Sequence, residues 1–186
     1  MLRLSRVEAG ASGAVAIASA IGRANSTLRR LSLDQNAIGD EGATALGGAL
    51  VANAALASVD LSYNRIGAAG AEALAAGVGA NRALRELWLS SNGVGDAGAI
   101  ALAAMLRNNS ALRTLALWDS GVSCDGADAI ERALRVNRVL SELFLHATDA
   151  EASEQTMARI QRAVERNAEL TRPTGAEEGS VLRDEL

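Results

Sequence analysis

The chain has 186 residues, enough for one sizeable domain and too few for two comfortable ones. Apolar residues make up 49% and charged residues 22%, which excludes a disordered chain, and a formal net charge of -4 argues against a general nucleic-acid binder. One cysteine, Cys124, and one histidine, His146, exclude an internal disulfide and a Cys/His metal cage.

No apolar run approaches the ~20 residues of a membrane span. The 18 basic residues are all arginine, which in so Ala- and Gly-rich a chain reads as composition bias.

At the N-terminus, Leu2 and Leu4 predict a strand, and the stretch from Gly13 to Asn25 predicts a helix after it. Arg3 and Arg6 followed by "AVAIASA" superficially resemble a signal peptide. Glu8 interrupts the basic region, the apolar stretch is mostly Ala and Ser, and the same residues fit a repeat register with one extra residue. The segment is therefore read as a partial first repeat, residues 1–27, and the chain as cytoplasmic.

From Leu28 onward one unit recurs every 28 residues, starting at Leu28, Leu56, Leu84, Leu112 and Leu140. Four full copies span 28–139. Each reads L-x-x-L-x-L-x-x-N and then x-I/V-G-x-x-G-A-x-A-L-x-x-x-L/V-x-x-N. The first half alternates with period two, as at Leu31 and Leu33, and predicts a strand. The second half places apolar residues at helical spacing, as at Ala43, Leu46 and Leu50. Strand then helix, repeated, predicts parallel strands side by side with helices outside them.

Three details within the unit carry expectations. Asn36, Asn64 and Asn92 stand where the chain leaves the strand and can satisfy backbone groups buried by the bend. Ser120 and Thr148 replace Asn in the last two copies, so that ladder should weaken there. Gly39, Gly67 and Gly95 suit a turn with unusual backbone angles, and Asp40 and Asp96 suit helix N-caps. Gly47, Gly48, Gly77 and Gly79 fall inside predicted helices; they reflect either composition or a surface that a partner approaches closely.

The last copy, 140–170, ends two residues late at Asn167. Charged residues with an apolar stripe of Met157, Ile160 and Val164 mark its helix as a cap, completing a repeat domain over 1–170. Residues 171–186 read as a tail whose final "RDEL" resembles an endoplasmic-reticulum retrieval signal, taken as coincidence. The strand at Leu2 and Leu4 has no polar cap before it, and its edge is expected to be covered by a partner, a second copy or further sequence.

The unit with "NAIGDEGATAL" resembles the leucine-rich repeats of ribonuclease inhibitor, of Ran GTPase-activating protein and of NOD-like receptors. That resemblance covers about nine tenths of the chain and implies an α/β leucine-rich-repeat solenoid, a right-handed horseshoe with a concave parallel sheet. It is silent on function, because these relatives bind unrelated partners.

The exposed strand positions form the natural binding surface of such a solenoid. Read by copy, the residue between the strand leucines is Arg3, Ser32, Asp60, Trp88, Ala116 and Phe144. The residue after the second leucine is Ser5, Asp34, Ser62, Ser90, Trp118 and His146, and the next is Arg6, Gln35, Tyr63, Ser91, Asp119 and Ala147. Every aromatic residue and the only histidine fall in these columns, and strands lie ~4.8 Å apart. Trp88, Trp118, Phe144 and His146 are thus expected to form one patch with Tyr63 at its edge and a charged rim of Arg85, Glu86, Arg113, Asp119 and Glu142. The N-terminal half, with Arg30, Asp34 and Asp60, is more polar. Either the rings anchor a partner, or they stack to shield an Ala-rich sheet.

Catalysis is poorly served. A Ser-His-Asp arrangement would need His146, and Ser90 and Ser91 lie two strands from it, roughly 10 Å away. Cys124, at the helix start, is read as a bystander thiol rather than a nucleophile. The reading is a non-enzymatic protein-protein interaction scaffold or adaptor in a larger assembly, with an unidentified protein partner, no nucleic acid, no cofactor and no metal. Two alternatives remain: a regulator of a GTPase resembling Ran GTPase-activating protein, and a structural spacer.

Overall fold

The computed structural model describes residues 1–22, 27–148 and 150–171, with the side chains of 150–153 excepted. The expected helix end at Asn25 and the RDEL tail lie outside the described residues. Six strands form one parallel sheet in chain order, each followed by a helix. The strands are β1 (Leu2–Arg3), β2 (Arg30–Ser32), β3 (Ser58–Asp60), β4 (Glu86–Trp88), β5 (Thr114–Leu117) and β6 (Glu142–Leu145). The helices are α1 (Gly10–Ile21), α2 (Gly39–Ala52), α3 (Ala68–Ala80), α4 (Gly95–Asn108), α5 (Cys124–Leu134) and α6 (Ala150–Thr171). The expected partial first repeat is thus a strand and helix like the rest, and "AVAIASA" lies in α1, with Ala14 and Ala18 buried.

Between β2 and β6 the register follows the period: Leu31 pairs with Val59, Val59 with Leu87, Leu87 with Leu115, and Leu115 with Leu143. At the first junction Leu2 pairs with Leu31, an offset of 29 that absorbs the extra residue. The inward leucines Leu31, Leu33, Leu61, Leu87, Leu89, Leu115 and Leu117 meet the helix positions Leu46, Leu74, Leu102 and Ile130 in a continuous core, all at or near zero exposure. At the first edge the pattern opens: Leu2 is 37% exposed where its equivalent Leu31 is 1% exposed.

The asparagine ladder takes the expected form. Asn64 is fully buried; its Oδ1 accepts from the Asn36 and Ile38 amides at 2.9 and 3.3 Å, and its Nδ2 donates to the Leu33 and Ser62 carbonyls. Asn36 and Asn92 repeat the pattern. At the substituted position Ser120 reaches the Leu89 and Trp118 carbonyls only at 3.3 Å each, as the shorter side chain dictates. A second ladder closes each unit. Asn53, Asn81, Asn109 and Asn137 donate to carbonyls ending the preceding helix, at Ile21, Leu50, Val78 and Leu106 respectively, and Asn167 donates to the loop carbonyls of Asn137 and Leu140. The first four also accept amides of the following loop, such as Leu56 N and Leu84 N.

Two expectations about the turns need correction. Gly39 and Gly95 do adopt positive φ, 62° and 57°, but Gly67 lies at φ -89° in an extended N-cap conformation. Asp40 and Asp96 do not cap their own helices, of which they form the first turn. Asp40 Oδ1 accepts from Gly67 N and Gly70 N, capping α3; Asp96 accepts from the Ser123 amide and hydroxyl and from Gly126 N, capping α5. The reason is geometric: a first-turn carboxylate points away from its own axis, and the next helix brings its unpaired N–H groups there. Helix starts therefore alternate. Gly39 and Gly95 donate to the next unit's carbonyls at Asn64 and Ser120, while α3 and α5 are capped from behind.

Hydrogen bonds from the Ser123 side chain, then from the Ser123 and Gly126 amides, hold the Asp96 carboxyl below its ordinary value, against burial. A depressed carboxylate adds stability above its unfolded pKa of about 3.9 and loses it as pH falls through the lower folded value. Asp96→Asn should accordingly cost about 1 kcal/mol at neutral pH. In urea melts, the gap between native and variant midpoints should narrow as pH falls below the unfolded carboxylate value; a gap unchanged at acid pH would refute the cap.

Two of the helix glycines, Gly47 and Gly77, are explained by neighbours within the fold. A Cβ on Gly77 would fall 2.0 Å from the Gly47 carbonyl oxygen, and one on Gly47 would fall 2.5 Å from the Ala73 carbonyl oxygen. Backbone meets backbone between α2 and α3. Gly48, by contrast, faces open space, and Gly79 has only Met105 at ordinary contact.

Candidate protein-interaction surface

Side chains fall into four columns across β3 to β6 and the turns that follow them, all but Ala147 of the last column lying outside the core cluster. The first column holds Ser58, Glu86, Thr114 and Glu142, and the second Asp60, Trp88, Ala116 and Phe144, as the register sets them. Ser62, Ser90, Trp118 and His146 form the third, and Tyr63, Ser91, Asp119 and Ala147 the fourth. Tyr63, Ser91 and Asp119 all adopt left-handed backbone, with φ between 53° and 58°, because the chain reverses there to enter the ladder.

The rings meet in two pairs. Trp88 and Phe144 stack with centroids 5.6 Å apart and planes 23° apart; Trp118 and His146 are tilted by 52° at 5.1 Å. Stacking across an intervening strand is possible because Ala116, between Trp88 and Phe144, carries only a methyl group, which the rings bury to 1% exposure. Sequence reasoning overlooked that floor, although its signal was present: the smallest side chain of the column lies between the two largest. The self-stacking a purely shielding role requires is real. Even so, Trp118 remains 56% exposed, Phe144 46% and Tyr63 56%, and Trp88 is half-buried. Among the described ring contacts, Tyr63 makes none, in keeping with an edge position.

The expected mixed rim separates by charge. Arg85 turns its guanidinium to the carbonyls of Arg82 and Ala111, pinning the helix-to-strand loops, and Arg113 is exposed. The acidic members stay on the sheet face. Glu142 accepts from the Thr114 hydroxyl at 2.9 Å, Asp119 from the Ser91 hydroxyl at 3.2 Å, and Glu86 is half-buried beside Trp88. Asp60 pairs in register with Trp88 and accepts from the Ser62 amide.

The N-terminal half of the face is a compact polar network. Ser32 Oγ donates to Asp34 at 2.6 Å, Ser5 Oγ also donates to Asp34, and Arg3 reaches Ser5. Burial would raise the Asp34 carboxyl, but the Ser32 and Ser5 hydrogen bonds outweigh it and the net displacement is downward. On the opposite, helical side, a cavity of about 370 Å³ between α5 and α6 is lined by Glu131, Arg135, Arg159, Arg162, Ala163 and Arg166. Bidentate hydrogen bonds join Arg135 to Glu131.

Among the described residues no group of three or more His, Cys, Asp or Glu side chains is arranged to hold a metal ion, and no helix is long and apolar enough to cross a membrane.

Comparison with known proteins fits this architecture. The family profile described as "Leucine Rich repeat" matches residues 24–47, 52–75 and 80–103, three successive units. Among solved structures, the actin-binding site 2 of leiomodin-1 is similar at 21% identity, covering 84% of this chain and 88% of that one with a TM-score of 0.72. The tropomodulin C-terminal domain of Caenorhabditis elegans is similar at 17% identity, covering 84% and 94%, with a TM-score of 0.73. No curated protein sequence matches significantly. With six strand-and-helix units in one parallel sheet and the repeat profile matched on three in succession, residues 24–103 carry leucine-rich repeats and the fold is an α/β leucine-rich-repeat solenoid.

Proposed function

We propose that this chain is a non-enzymatic protein-binding scaffold that holds a protein partner on the aromatic patch of β4 to β6. The observation that carries this reading is the placement of the rings. The core has many apolar positions and fills them with Leu, Ile, Val, Met and Ala, while every Trp, Tyr and Phe stands on the sheet face. Keeping such large side chains half-exposed forgoes about half of the roughly 1.5–3 kcal/mol that full burial of a Phe-sized side chain is worth, and rigid aromatic anchors of this kind dominate interface hot spots. A solenoid of this geometry does serve in protein binding, since the leiomodin-1 neighbour is by its own description an actin-binding site. Partner identity does not transfer at that level of identity.

The test is recovery of partners from the source organism with the native chain and with Trp88→Ala/Trp118→Ala, both checked for cooperative melting. Binding through the patch predicts at least one partner recovered tenfold or more poorly with the variant, from about 1.4 kcal/mol of lost contact. Equal recovery of every partner would reject it. A spacer predicts altered melting of the variant with no change in recovery.

A further inference from the structure

Charge on the sheet face is distributed less evenly than composition requires. Across the four columns of β3 to β6 no arginine appears, although the chain carries 18 basic residues, and four carboxylates do: Asp60, Glu86, Asp119 and Glu142. They surround the rings. Glu86 and Glu142 flank the Trp88 pair along the strand direction, Asp60 borders it on the neighbouring strand, and Asp119 follows Trp118 at the turn. Of the basic side chains nearest in sequence, Arg85 is committed to backbone carbonyls of the loops and Arg113 is exposed. Among the described residues, two of the four carboxylates have hydroxyl donors, Thr114 for Glu142 and Ser91 for Asp119. Neutral hydroxyls leave the charge uncompensated.

Aromatic faces present negative quadrupole potential, and carboxylates beside them add full negative charge. A guanidinium or ammonium group seated there gains from both, while an acidic or apolar ligand would bury the carboxylates without compensation. Resting on the reading above that this patch is the binding site, we propose that its occupant is a basic segment of a protein partner. An arginine or lysine of that segment lies over Trp88 or Trp118, with Glu86 and Glu142 as counter-charges. Electrostatic steering by the same carboxylates makes the association salt-sensitive.

Both tryptophans of the chain lie in the patch, so intrinsic fluorescence reports on it alone. The experiment titrates the full chain with octa-arginine, octa-glutamate and octa-serine. It then repeats octa-arginine with Glu86→Gln/Glu142→Gln and with Glu41→Gln/Glu72→Gln, which removes equal charge from exposed helix positions. The expected result is a saturable tryptophan change with octa-arginine only, weakened on the order of tenfold by Glu86→Gln/Glu142→Gln, unaffected by the helix pair, and reduced by added salt. Any of three results overturns the proposal: no tryptophan response to octa-arginine, an equal response to octa-glutamate or octa-serine, or equal weakening by both glutamine pairs. The two readings fail separately. A partner recovered in a Trp88- and Trp118-dependent way but indifferent to Glu86→Gln/Glu142→Gln leaves the scaffold standing and removes the basic segment.

Discussion

Asn64→Ala is expected to lower the unfolding free energy by about 4 kcal/mol, a drop of roughly 10 °C in melting temperature for a domain of this size. The side chain sits at the centre of the ladder with no solvent exposure and satisfies the Asn36 and Ile38 amides. Neither of its two acceptors depends on it alone. The Leu33 carbonyl keeps the Asn36 side chain and the Ser62 carbonyl keeps the Gln35 amide, so the loss falls on the two amide donors, at about 1–3 kcal/mol each. Ser120→Ala should cost only about 1 kcal/mol, since its single hydroxyl hydrogen is shared between two carbonyls at 3.3 Å. Urea denaturation of both variants checks the contrast. Because each unit contacts only its neighbours, a break at Asn64 should also broaden the transition, separating the first two units from the rest. A sharp transition with the native midpoint would show the ladder to be dispensable.

The second large effect opposes intrinsic helix propensity. Alanine in place of glycine inside a helix ordinarily stabilises by about 1 kcal/mol, and Gly48→Ala, which faces open space, should do so. Gly77→Ala should instead destabilise by about 2–3 kcal/mol, because its new methyl group would fall within 2.0 Å of the Gly47 carbonyl oxygen. Neither atom is the end of a flexible side chain, so relief requires α2 and α3 to move apart and loosen the packing of Leu46 against Leu74. Thermal melts of the two variants should therefore shift in opposite directions. A Gly77→Ala protein at least as stable as the native chain would mean that the two helices are not held at this separation.

How much of this was legible beforehand follows from where each interaction lies. A strand pattern and a helix pattern alternating every 28 residues dictate stacked parallel strands, because neither half can bury its apolar face alone. The ladder residues Asn36, Asn64 and Asn92 were readable because a polar side chain at a fixed place in an apolar repeat has few other uses. Confinement of Trp88, Trp118, Phe144, His146 and Tyr63 to outward strand positions was likewise legible, since strand alternation assigns each residue to one face.

What the sequence could not express was contact between units. Asp40 and Asp96 look like caps of the helices they begin, yet they serve α3 and α5, because capping depends on where the next helix axis lies. Gly47 and Gly77 look like accidents of composition until α2 and α3 are placed side by side. Arg85 is adjacent to Glu86 in the chain but leaves the sheet face to bind loop carbonyls, which turns a mixed rim into an acidic one. The period by itself determined the repeat, the strand and helix faces and the aromatic columns, because these obey local geometry. Only the tertiary structure decided the capping partners, the close helix approach and the sign of the charge around the rings, because each depends on distances between residues about 28 positions apart.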